Sequence, residues 1–224
     1  MQSDQLPFGF ESTSSMDESD YLVTASNRDA HVMVRSWPKW PHHMLAIIGA
    51  QGSGKTHLAS IWAKNSGAVA VFPGQEKEHS LPRRTCFVID NAQSFVSSEG
   101  GETTLFHLFN WTKETGGNVL LTSKIEPNRW NVLLPDLRSR LATVPTIPLL
   151  PPDDVLMHVI LAKLFADRQL RVDIDVISYI LPRIEREYAA LAQFVKRLDH
   201  ISLVNRRKIT KPLARQLLAG DYAD

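Results

Sequence analysis

From residue 44 onward, short apolar runs alternate with stretches of helical periodicity. Residues 45–48 form a strand-length apolar run that enters a glycine loop, and residues 56–65 then repeat apolar positions at helical spacing. Residues 69–72, 86–89 and 118–122 are further strand-like runs, and 146–149 is a candidate last strand. Residues 104–115 read as a helix with Leu105, Leu108, Phe109 and Thr112 on one side. Strands alternating with helices predict a parallel sheet covered on both faces.

The pattern changes at Pro151 and Pro152, which precede Asp153 and Asp154 as a break and a capped helix start. No convincing strand follows. Val155, Leu156, Val159, Ile160, Lys163 and Leu164 form a helical stripe, residues 174–181 a second helix ended by Pro182, and 188–201 a third. Thr210 is an expected N-cap for a last helix, with Pro212 in its first turn. The expected organisation is a flexible tail (1–19), an α/β domain (20–150) and a small all-helical domain (151–224).

Composition narrows the classes. In 224 residues, 43% hydrophobic and 22% charged content excludes a chain disordered throughout. The single cysteine, Cys86, excludes an intramolecular disulfide framework and fits a reducing, cytoplasmic setting; it lies in an apolar run and reads as core. No apolar run approaches the roughly 18 residues of a membrane helix. A net charge of +1 argues against broad coating of nucleic acid, so DNA contact is expected to be indirect or weak. The charge is unevenly placed. Residues 1–20 carry five acids and no Lys or Arg, whereas Lys196, Arg197, Arg206, Arg207, Lys208, Lys211 and Arg215 make the far end basic. The eight histidines show no metal-binding spacing, and His42–His43 falls in a loop-like segment.

The glycine loop carries the chemistry. Gly49, Ala50, Gln51, Gly52, Ser53, Gly54, Lys55 and Thr56 satisfy G-x-x-x-x-G-K-[ST] completely, with an apolar strand before and a helix after. Backbone N–H groups of such a loop curl around phosphate oxygens. Lys55 then reaches the β- and γ-phosphates and the Thr56 hydroxyl ligates Mg²⁺. Asp90, at the end of the run 86–89, supplies the acidic partner for that ion. The next residue is Asn91, where many ATPases place a second carboxylate. An amide holds a water but is a poor proton acceptor, so nucleotide binding with slow intrinsic hydrolysis is expected.

A phosphate loop, Asp90, an α/β domain and a helical lid together resemble an AAA+ module. The finer resemblance is to the DnaA-related family, and within it to the shorter Hda branch. It is carried by Ser26 and Asn27 ahead of the loop, by residues 54–58 at the loop exit, by Ile89, Asp90 and Asn91, by residues 121–123 where the first sensor strand ends, and by residues 134–141. The resemblance covers roughly residues 20–219. It implies an ADP or ATP site that includes His57, Asn91 and Ser123, and an arginine finger, Arg140, that enters a neighbour's site, with Arg138 as its competitor. It also implies a DnaA initiator as partner and leaves a homo-oligomer open. The chain ends at Asp224, where initiators continue into a DNA-reading domain. Two departures stand out: Lys124 beside Ser123, and Ala189 at the second sensor position, with Arg186 three residues earlier as a substitute on the same helix face.

Gln5, Leu6, Pro7, Phe8 and Phe10 resemble the peptide by which bacterial replication proteins bind the sliding clamp of DNA polymerase III. The implied function is negative regulation of replication initiation, exerted on the initiator's ATPase in trans. Two alternatives remain: a helicase loader of the DnaC type that turns over its own ATP, and a DNA-binding module using the basic C-terminal helices.

Overall fold

A computed structural model describes residues 18–73, 85–205 and 207–220. The chain divides into two compact units. The first holds the described residues up to 22, with 29–49 and 55–149; the second holds 23–28, 50–54 and the residues from 150 onward.

The first unit is built on five parallel strands: β1 (Met44–Ile48), β2 (Val69–Ala70), β3 (Phe87–Ile89), β4 (Val119–Ser123) and β5 (Thr146–Pro148), in the order β2-β3-β4-β1-β5. β1 and β4 pair over their full length, from Met44 opposite Val119 to Ile48 opposite Ser123. Side chains alternate faces along each strand. Leu45, Ile47, Val88 and Leu120 face a core shared with α1 (Arg28–Arg35) and α2 (Lys55–Ser66), where Trp62 is nearly fully buried. Ala46, Phe87, Ile89, Val119 and Leu121 face the opposite core, with α3 (Gln93–Val96), α4 (Gly101–Thr115) and α5 (Pro135–Leu141). Both sides of the central strands are thus dry, which is why they read as continuous apolar runs. Leu105, Leu108, Phe109 and Thr112 are all buried, as the sequence pattern of α4 predicts. Cys86 is buried in the first core, and burial pushes its thiol pKa up. The Trp37–Trp40 connection packs on the domain: Trp40 stacks on Trp62 at 5.2 Å and Trp37 meets it edge-on at 6.1 Å.

The second unit contains α6 (Asp154–Asp167), α7 (Ile174–Ile180), α8 (Tyr188–Asn205) and α9 (Lys211–Ala219) around a core that includes Leu161, Ile180, Leu191, Val195 and Leu198. The observed stripe of α6 differs from the expected one. Leu156, Met157, Leu161, Leu164 and Phe165 are buried, while Val155 and Val159 are exposed at 64% and 44%. The helix is apolar on nearly every face, so periodicity alone fixes no unique inner side. Thr210 occupies the N-cap position of α9, with Pro212 in the first turn, but its hydroxyl makes no capping bond. Among the described residues no helix is long and apolar enough to cross a membrane.

Asp153 starts α6 as an N-cap. Its carboxylate accepts from the Leu156 N–H at 2.8 Å and from the Ser26 N–H at 3.3 Å. The Leu156 bond is the main cause holding the Asp153 pKa below the ordinary carboxylate value, with smaller support from Thr24 and Ser26. A depressed folded-state pKa contributes stability above the unfolded pKa and loses it as pH falls through the folded one. Asp153→Ala is therefore expected to cost about 1 kcal/mol at neutral pH. Its deficit relative to wild type should shrink on acidification below the ordinary carboxylate range. Denaturation across that range checks both parts.

Candidate nucleotide site

The loop of residues 49–56 joins β1 to α2 at the carboxyl end of the sheet, the edge where ligands bind in open α/β folds. Gly49 N–H donates to the Ser123 carbonyl at 3.1 Å, tying the loop's start to β4. Gly52 and Gly54 have φ of +73° and +95°, a left-handed backbone that glycine alone adopts without cost. Ala50 and Gln51 are exposed, and the Ala50 carbonyl accepts from Ser53 N–H at 3.4 Å. The Ser53 side chain is buried, yet its Oγ has no hydrogen-bond partner among the described residues. An orphaned hydroxyl in a loop of turned-in backbone fits an anion with several acceptor oxygens.

Gly52 and Gly54 differ in their surroundings. A Cβ on Gly52 would lie 2.7 Å from Glu187 Cγ and 3.1 Å from Glu187 Cα, while one on Gly54 would meet nothing within 4 Å. Gly54→Ala should cost only the conformational strain, about 1–2 kcal/mol. Gly52→Ala should cost more and weaken nucleotide binding further, because Glu187 must also shift. Paired denaturation and nucleotide titrations of the two variants measure the difference.

Lys55 opens α2, and the adjacent Thr56 hydroxyl donates to Asp90 Oδ2 at 2.9 Å. Asp90 also accepts a short hydrogen bond from Thr122 Oγ1, and Thr122 Oγ1 in turn accepts from the Asn91 N–H at 2.8 Å. The two residues that sequence reasoning assigns to Mg²⁺, Thr56 and Asp90, thus face each other, and their donor set of hydroxyl and carboxylate oxygens suits that ion. Asn91 has φ +50°, a left-handed conformation that Asn tolerates better than most residues. Its backbone constraint is a second physical reason for an amide side chain at this position. His57 makes an edge contact with Tyr21 at 5.2 Å between ring centroids.

Ser123 is fully buried, and its hydroxyl donates to Gln93 Oε1 at 3.0 Å. Gln93 also accepts from the Lys124 N–H at 3.2 Å. Thr122 and Gln93 are therefore organising residues of the site that sequence reasoning missed. The only signal for them in the sequence is their place beside Ser123 and Asp90.

Arg140 lies elsewhere. It sits half-buried in the last turn of α5, with its guanidinium 4.6 Å above the centroid of Phe106. α5 is held in place by Glu102 of α4, whose carboxylate accepts from the Leu133 and Leu134 N–H groups, each at 2.8 Å. The cavity that Arg140 lines includes His42, His43 and Met44, the residues that lead into β1. The phosphate loop leaves β1 at its other end, about 16 Å away for a five-residue strand. Arg138, the competitor, donates to the Val132 carbonyl at 3.0 Å and braces its own backbone.

One expectation fails. Arg186 precedes α8 rather than lying on it, because Pro182 and the extended backbone at Ile184 delay the helix to Tyr188. It shares no helix face with Ala189, and it pairs with Asp154 at 2.6 Å. Gln5, Leu6, Pro7, Phe8 and Phe10 lie outside the described residues.

Comparison with solved structures places the fold. Domain III of the Thermotoga maritima replication initiation protein DnaA is 22% identical, with a TM-score of 0.73 over 91% of this chain and 95% of that one. AMPPCP-bound DnaA from Aquifex aeolicus is 19% identical, with a TM-score of 0.62 over 80% of this chain and 63% of that one. A Thermotoga maritima RuvB variant is 15% identical, with a TM-score of 0.66 over 89% and 69%. Residues 156–218 match the family model for the lid domain of Hda. The chain carries an Hda lid on a DnaA-like AAA+ fold. That lid comprises α6 to α9, so the basic residues read from the sequence belong to it. Lys211 among them pairs with Asp175 at 2.7 Å, and Arg215 Nε donates to the Tyr179 hydroxyl at 3.3 Å.

Proposed function

We propose that this chain is a clamp-associated regulator of replication initiation that stimulates hydrolysis of ATP bound to DnaA and so switches the initiator off. The observation that carries the reading is the place of Arg140 on a chain with an Hda lid. A guanidinium stacked on one face keeps its edge donors available, and it stands at the sheet edge remote from its own phosphate loop. That arrangement suits charge developing on a neighbour's γ-phosphate.

The AMPPCP in the Aquifex aeolicus DnaA structure supports an adenine nucleotide, ADP or ATP, as the ligand of residues 49–56 here. Gly49 to Gly54 would cradle its phosphates with backbone N–H groups and the Ser53 hydroxyl, while Lys55 neutralises them. Thr56 and Asp90 would hold Mg²⁺, which when bound offsets charge on the phosphate oxygens. Thr122 orients Asp90, and Asn91 places an amide, a poor proton acceptor, where a second carboxylate would act as base. Nucleotide is then retained as a structural ligand. Residues 5–10 dock on the sliding clamp, with Leu6, Phe8 and Phe10 in apolar pockets and Gln5 on the rim. DNA is reached through the clamp, in line with Lys211 and Arg215 being engaged within the lid.

Deleting residues 1–10 tests this tether. Clamp pull-down should be lost and clamp-dependent stimulation of the initiator's ATPase should fall to background, with nucleotide affinity unchanged. Retained pull-down contradicts the peptide's role.

A further inference from the structure

The cavity beside Arg140 is about 480 Å³ and lies at the amino-terminal edge of the sheet. Four of its lining residues carry side-chain nitrogens: His42, His43, Lys113 and Arg140. No carboxylate is among the described lining residues. Phe109 contributes an apolar wall, so the cavity is a shaped recess rather than a flat charged surface.

Each cation has an ordinary explanation taken singly. Lys113 and Arg140 both lie in the last turns of their helices, α4 and α5, where the helix dipole favours positive charge. The dipole does not explain why two helices from different parts of the chain bring those ends to one recess, nor why two histidines close it. His43 adds a geometric constraint. Its Nδ1 lies 3.0 Å from the Gly117 carbonyl, which makes Nδ1 the protonated donor and leaves Nε2 as the ring's other polar atom. Arg140 is stacked on Phe106 and forms no ion pair among the described residues. Lys113 is exposed and likewise forms no ion pair among them.

We propose that Lys113, His42 and His43 join Arg140 in a phosphate-binding pocket. A phosphate has enough acceptor oxygens to engage a planar guanidinium and an ammonium together. The pocket itself stands on these residues alone; assigning the phosphate to a neighbour's nucleotide rests on the reading of Arg140 given above. The other source of the same chemistry is a free phosphorylated ligand.

The test measures binding of tripolyphosphate to the full chain carrying Lys55→Ala, which weakens the competing phosphate loop. Binding should be measurable and salt-dependent. Adding Lys113→Ala or Arg140→Ala should weaken it ~10-fold each, and Lys113→Arg should retain it. Lys113 is exposed, so its variants keep the fold, which far-UV circular dichroism verifies. Absence of tripolyphosphate binding, or binding indifferent to both alanine variants, overturns the pocket. In the same series without Lys55→Ala, initiator ATPase stimulation identifies the source. A parallel loss in Lys113→Ala assigns the phosphate to the neighbour's nucleotide. Wild-type stimulation with weakened tripolyphosphate binding assigns it to a free ligand. If Arg140→Ala abolishes stimulation while Lys113→Ala leaves stimulation and tripolyphosphate binding at wild-type level, the regulatory reading stands and the pocket falls.

Discussion

Arg140→Ala is expected to leave this chain's own nucleotide affinity unchanged and to reduce its stimulation of DnaA's ATP hydrolysis by about 10³-fold or more. The asymmetry follows from position. The side chain lies at the entry of β1 and the phosphate loop at its exit, so removing the guanidinium takes nothing from the chain's own site. The fold should also tolerate the change. The variant gives up chiefly the stacking on Phe106, worth about 0.5–1 kcal/mol at a partly exposed position. Arg140→Lys should recover little of the rate, because an ammonium lacks the planar, multidentate edge that meets several phosphate oxygens. Arg138→Ala separates a finger from a brace. It removes the hydrogen bond to the Val132 carbonyl, costs about 1 kcal/mol of stability, and should leave stimulation far closer to wild type. Single-turnover hydrolysis of initiator-bound ATP, measured beside denaturation curves, distinguishes the three variants.

Lys55→Ala is expected to raise the dissociation constant for ADP and ATP about 100-fold, with the sheet intact. The lysine opens α2 where the helix dipole already favours anions, so on the proposed reading its charge and the backbone N–H groups would act on the same phosphates. α2 itself is anchored by Leu58, Ala59, Ile61 and Trp62, all buried, and does not need the lysine to form. Stimulation should weaken only as nucleotide dissociates, and saturating nucleotide should restore part of it. Arg140→Ala shows no such rescue. Isothermal titration with the stimulation assay at two nucleotide concentrations makes the comparison.

The parts of the fold that the sequence displayed best are those buried on two sides or one. β1, β3 and β4 are apolar on both faces, and α4 keeps a clean stripe from Leu105 to Thr112. α1 was not visible as a helix because only Ala30 and Val34 are buried among its eight residues. α3 spans four residues, too few to show a period. Arg186 was misplaced because a 3₁₀ turn at Leu181–Arg183 and extended backbone separate α7 from α8. In the candidate site, the meeting of Thr56 with Asp90 was legible because their spacing to glycines and an apolar run is local. Gln93 and Phe106 were not, because their roles exist only through partners far along the chain, Ser123 at a separation of 30 residues for Gln93 and Arg140 for Phe106. The left-handed backbone at Asn91 likewise leaves no mark in the sequence beyond the residue type itself.

The most direct measurement loads DnaA with labelled ATP, removes free nucleotide, and adds clamp on DNA with this chain holding unlabelled ADP. The expected result is rapid conversion of the label to ADP with wild-type chain and background conversion with Arg140→Ala. Equal conversion with the two proteins, or none with either, would contradict an action exerted through Arg140 on a neighbour's nucleotide.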